Sequence, residues 1–128
     1  MEAPTASARI FGDEPFARPE TLPSKAGSIV FYAAASPDHP EENQDHGAVV
    51  TLPDGGCVLA VADGVGGLPG GATASRRALE ALVEAVSNAT VDGLRAAILD
   101  GFENANQAVR ELGMGAGTTL AAVGIAGN

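Results

Sequence analysis

The sequence predicts an α+β domain with antiparallel strands, and three observations carry that expectation. Residues 58–62 are a short, continuous apolar run rich in branched side chains, the pattern of a strand buried on both faces. Pro53-Asp54-Gly55-Gly56 is a strong turn signal joining that run to a second strand over residues 47–52. Beyond residue 71 the apolar spacing changes from strand-like to helical.

In chain order, residues 1–27 hold Pro4, Pro15, Pro19 and Pro23 among Ala, Ser, Thr and Glu without sustained periodicity. They read as a flexible arm, with Ile10, Phe11 and Phe16 the side chains able to dock on the domain. A first strand is expected over residues 28–34, where Ile29, Val30, Phe31 and Tyr32 are consecutive. Pro37 and Pro40 end it. The polar block Glu41-Glu42-Asn43-Gln44-Asp45-His46 then feeds the 47–52 strand, and the turn at 53–56 returns the chain into residues 58–62. A helix is expected over residues 72–88, with Leu79, Leu82, Val83 and Val86 on one face. A second follows from a Thr90 cap, its stripe formed by Leu94, Ile98, Phe102, Ala105, Val109 and Leu112 and its stop at Gly113. Gly101 lies inside that helix at a cost of about 1 kcal/mol relative to Ala. Residues 115–125 read as a last strand, one left without a closing element.

Composition narrows the functional classes. The chain has 128 residues, 45% of them hydrophobic and 18% charged, enough for one domain or part of one with a core of small residues. A formal net charge of −9 argues against nucleic acid and anionic membrane as partners, because both reward clustered Lys and Arg. Cys57 is the single cysteine, so an internal disulfide is excluded and a buried structural thiol is expected. The N-terminus does not read as a secretory signal, and no apolar run reaches membrane-spanning length, so a cytoplasmic location is the expectation.

The most informative stretch is Ala62-Asp63-Gly64-Val65-Gly66-Gly67, which delivers a carboxylate from a buried strand into a glycine-dense turn. An ionised oxygen beside the core is costly unless a cation or several donors meet it. The hairpin brings Asp45, at the start of one strand, to the same end of the sheet as Asp63. Hard divalent cations favour such carboxylate and carbonyl oxygens. The alternatives are an Asp-Gly turn signal at Asp63-Gly64 and a solvated carboxylate at Asp45. His39 and His46 read as exposed loop histidines, Thr118 and Thr119 as strand packing, Asn106 as a local hydrogen-bonding residue, and Arg76 and Arg77 as a solvated helix face.

Asn43-Gln44-Asp45, the Ala62-to-Gly67 stretch at the end of a hairpin strand, two helices containing Ala105-Asn106, and Gly117-Thr118-Thr119 opening a strand occur here in a characteristic order. In this the chain resembles the N-terminal part of the PPM-type (type 2C) metal-dependent Ser/Thr protein phosphatases, over residues 28 to 125. The resemblance implies a four-layer α/β/β/α sandwich with two Mn2+ or Mg2+ ions at the ends of its antiparallel sheets. It implies that Asp63 bridges both ions as the central catalytic ligand, that the Gly64 carbonyl binds one, and that Asp45 contributes a ligand. A phosphorylated protein is the implied substrate.

The chain departs from the family's pattern at several points. Pro40 stands where many members have a phosphate-holding Arg, and Val65 where many have His. The family's domain usually runs to about twice this length, and its C-terminal half supplies a Gly-Asp-Ser-Arg strand and further aspartates. Residues 28–128 are therefore read as the N-terminal part of a truncated domain, with a partner or C-terminal segment completing the sheet. A noncatalytic, metal-binding or regulatory relative is the alternative. A dinucleotide-binding fold is disfavoured: Gly64 and Gly66 fit its fingerprint, but Pro69 occupies the third glycine position.

Overall fold

The computed structural model describes residues 5–14, 18–65 and 69–126. Its elements are β1 (Ser7–Phe11), β2 (Glu20–Ser24), β3 (Gly27–Phe31), β4 (Asp45–Thr51), β5 (Cys57–Asp63), α1 (Gly71–Val86), α2 (Leu94–Arg110) and β6 (Ala121–Ile125). The fold is α+β with antiparallel sheets, as expected. One sheet has the order β1-β4-β5-β6, and β2 and β3 form a separate two-stranded ribbon.

The β4–β5 hairpin is the centre of the larger sheet. Its register runs from Thr51↔Cys57 beside the turn to Asp45↔Asp63 at the open end. Leu52 closes the turn twice, accepting from the Gly55 N–H at 3.0 Å and donating to the Gly56 carbonyl at 2.7 Å. Gly55 has a φ of 98°, a value that favours glycine. Because side chains alternate, Ala48, Val50, Leu52, Val58, Ala60 and Ala62 share the face covered by the helices. There they meet Leu79, Leu82 and Val86 of α1 and Leu94 of α2 in one continuous core. The small sheet residues let α1 lie close; the larger helix residues fill the space.

Gly101 has a packing reason that its sequence context does not reveal. A Cβ there would press on Leu82 and crowd Ala85, so the glycine marks the closest approach of α2 to α1. The second helix begins later than its expected cap. Thr90 heads a turn in which the Gly93 N–H reaches the Thr90 carbonyl at 3.1 Å, and the α-helix starts at Leu94. The last strand is also shorter than residues 115–125, being confined to Ala121–Ile125 with a lone bridge between Gly64 and Thr118 before it.

The expected loose arm contains ordered pairing. β1 joins the sheet along β4, from Ser7↔Thr51 to Phe11↔Gly47, and β2 pairs with β3 over Glu20↔Phe31 to Ser24↔Gly27. Ile10 packs on the helix-side core. Phe11 stacks on Phe31 with ring centroids 4.3 Å apart, and Arg9 reaches Glu20 at 2.5 Å. Phe16 lies outside the described residues. Five-residue strands bounded by prolines carry little periodic signal, and these two depend on partners distant in sequence. Pro23 is compatible with β2 because the strand has one pairing partner and needs no donor on its free side.

On the sheet face away from the helices, Phe31 lies over Gly47, where any Cβ would collide with its ring. The β5–β6 half of that face is open: Val61 is 55% exposed and Val123 57% exposed.

Candidate metal centre

Asp45 and Asp63 are directly opposed in the hairpin register. The Gly64 N–H donates to the Gln44 carbonyl at 2.9 Å, which makes 44/64 the hydrogen-bonded pair. Asp45/Asp63 is consequently a non-hydrogen-bonded pair, the type in which opposed side chains come closest. Both residues are exposed, on the sheet face away from the helices. Like charges so opposed repel. Partial desolvation first, then a shared hydrogen bond with the Asp63 carboxyl and its charge, raise the pKa of Asp45 above the ordinary carboxylate value.

Each aspartate is held by its neighbours. The Asn43 Oδ1 accepts from the Asp45 N–H at 3.0 Å, a local side-chain turn that sets the direction from which the chain enters β4. Asn43 is 6% exposed, and its Nδ2 has no partner among the described residues. The Asp63 N–H donates to Thr119 Oγ1 at 3.0 Å, while the Asp63 carbonyl accepts from the Thr119 N–H at 2.9 Å. Thr119 thus clamps the backbone of the acid, a role beyond the strand packing expected of it. The Val65 N–H donates to the Gly117 carbonyl at 2.9 Å, completing the bridge around Gly64. Neither bridge bond uses the Gly64 carbonyl.

Gly64 is fixed by close approach. A Cβ at that position would collide with the backbone of Gly71, the first residue of α1. Gly70, at the helix N-cap, has a φ of 76°, so the entry into α1 is built on glycine twice over. Gly66 and Gly67 lie outside the described residues.

His46 departs from expectation. It is 5% exposed, with Nδ1 2.7 Å from Ser75 Oγ and Nε2 3.2 Å from Asp13 Oδ1. Its side chain belongs to the helix face, opposite the one that Asp45 and Asp63 share, so it is not a third ligand. Burial lowers its pKa, while the Asp13 charge and hydrogen bond oppose that shift. Ser75 is fully buried and also donates to the Gln44 carbonyl at 2.7 Å, tying α1 to the strand entry. Neither Ser75 nor Asp13 was singled out in the sequence. Their only signal was a serine inside a helix stripe and an acid in a segment without periodicity.

The remaining sequence candidates are dispersed. His39 is exposed, and Asn106 is exposed on α2. Arg76 is not merely solvated: it bonds Asp13 and, at 3.0 Å, Glu80. Cys57 is buried, and burial raises the pKa of its thiol, as expected of a structural cysteine.

A cavity of about 420 Å3 opens in front of the aspartate pair, walled by Phe31, Tyr32, Val61 and Thr119. Two opposed carboxylates in such an opening fit a hard divalent cation. Among the described residues no group of three or more His, Cys, Asp or Glu side chains converges as a complete metal site. No protein-family model, curated protein or solved structure matches this chain.

Proposed function

We propose that the chain is the N-terminal portion of a PPM-type phosphatase domain, in which Asp45 and Asp63 hold divalent cations, Mn2+ or Mg2+, for hydrolysis of phosphoserine and phosphothreonine in proteins. The observation that carries this reading is the opposed Asp45/Asp63 pair at the open end of the central hairpin. Like charges in that position destabilise a sheet, whereas a hard cation between them removes the repulsion and uses both carboxylates. Bound cations of this kind supply an acidified water and neutralise phosphoryl charge. The residues contribute positioning: Thr119 fixes the backbone of Asp63, Asn43 orients Asp45, and Gly64 leaves its carbonyl outside the bridge bonds. Tyr32 and Val61 give the opening an apolar wall against which a protein substrate packs.

The four-layer sandwich is part of the same reading. Helices cover one sheet face here, and the open Val61–Val123 half of the other face suits a second sheet from a further segment or partner. Further aspartates would come from that segment.

A noncatalytic metal-binding or regulatory role is the second reading, favoured by the absence of a complete ligand set among the described residues. Manganese-dependent hydrolysis of a phosphothreonine peptide by the complete protein separates the two. The phosphatase reading predicts turnover that Asp63→Asn abolishes while the variant keeps its fold by circular dichroism. Retained turnover in Asp63→Asn would remove Asp63 from the site; a folded complete protein without turnover favours the noncatalytic reading.

A further inference from the structure

A cavity of about 370 Å3 lies between the C-terminal half of α2 and the segment leading into β6, on a different part of the surface from the aspartate pair. Its walls are apolar, built on Phe102, Val109 and Leu120, and its polar lining comes from Asn106, Arg110 and Thr118. The Thr118 hydroxyl is already engaged with the Thr119 carbonyl at 2.9 Å. Among the described residues no carboxylate lines the cavity, although the chain has 16 Asp and Glu against 7 Lys and Arg. Arg110 forms no salt bridge among the described residues. Asn106 and Arg110 are four residues apart on α2, so they occupy neighbouring places on one helix face.

We propose that this groove binds a small amphipathic monocarboxylate, its hydrocarbon part against Phe102, Val109 and Leu120 and its carboxylate on the Arg110 guanidinium and the Asn106 amide. The volume falls within the usual range for small-molecule sites, about 300–1,000 Å3. A guanidinium presents paired donors that match a carboxylate, and a cavity free of acids in an acidic chain selects an anion over a cation. The ligand would contact the segment that holds β5 through Thr118 and Thr119, a regulatory position with respect to Asp63.

The test is an amide-resolved NMR titration of the 128-residue chain with dilute octanoate, octan-1-ol and octylammonium in parallel. Octanoate is expected to shift amides of residues 102–110 and 116–120, octan-1-ol to bind more weakly, and octylammonium to leave those amides unmoved. Arg110→Gln should weaken octanoate about tenfold, while Arg110→Lys keeps the charge but loses the paired donors, so it binds octanoate more weakly than the parent and more tightly than Arg110→Gln. Octylammonium binding as well as octanoate, shifts centred elsewhere, or Arg110→Gln binding like the parent would each overturn the proposal.

Discussion

At Asp45 two demands conflict. The hairpin register places its carboxyl against that of Asp63, and the raised pKa records the cost of ionising there. Its folded-state pKa lies above the unfolded one, so the folded state holds a proton more tightly. The contribution of Asp45 to stability is therefore present at low pH and declines as pH rises from 3.8 through the raised value. Asp45→Asn removes the repulsion, and with divalent ions chelated at neutral pH it is expected to raise stability by about 0.5 kcal/mol, a few degrees in Tm. A lower Tm than the parent under those conditions would contradict the opposed-charge account. His46 has the opposite sign. Its pKa is lowered by burial, so its contribution is present above the unfolded value near 6.5 and is lost as pH falls through the folded value. Urea denaturation across pH 7 to 5 should show falling stability in the parent, and His46→Gln should flatten that slope. An unchanged slope would place the titration elsewhere.

Among the elements, α1 and α2 hold the sheet from one side, and Gly101 sets how closely they meet. Alanine gains about 1 kcal/mol of helix propensity over glycine, but a Cβ pressing on fully buried Leu82 incurs overpacking of about 1–3 kcal/mol. Gly101→Ala is accordingly expected to lower the midpoint of denaturation; a stabilised variant would show that the helices have slack between them. The central hairpin and both helices were legible in the sequence because branched runs, a Pro-Asp-Gly-Gly turn and 3.6-residue spacing are local signals. β1 and β2 were not, because their stability comes from Phe11 on Phe31, Phe31 on Gly47 and Arg9 with Glu20, contacts that no short window contains. The missed inward turn of His46 has the same origin: its partners, Ser75 and Asp13, are 29 and 33 residues away. The opposition of Asp45 and Asp63 was legible, since one tight turn fixes the register of the whole hairpin.

Across the whole molecule, the sheet has its helix layer on one face and is only partly covered on the other, with Val61 and Val123 open beside the carboxylate end. The net charge of −9 raises the local concentration of cations around the molecule. A cation that binds the folded chain and not the unfolded one adds stability by mass action, about 2.7 kcal/mol at a hundredfold excess over Kd. On the proposed reading, cation binding would connect the residue-scale repulsion to the stability of the whole fold. Isothermal titration of Mn2+ into the chain, run alongside Asp45→Asn and Asp63→Asn, measures that connection most directly. Saturable binding in the parent that is lost in Asp63→Asn and weakened in Asp45→Asn is the predicted result, whereas no binding in the parent, or equal binding in all three, would contradict it.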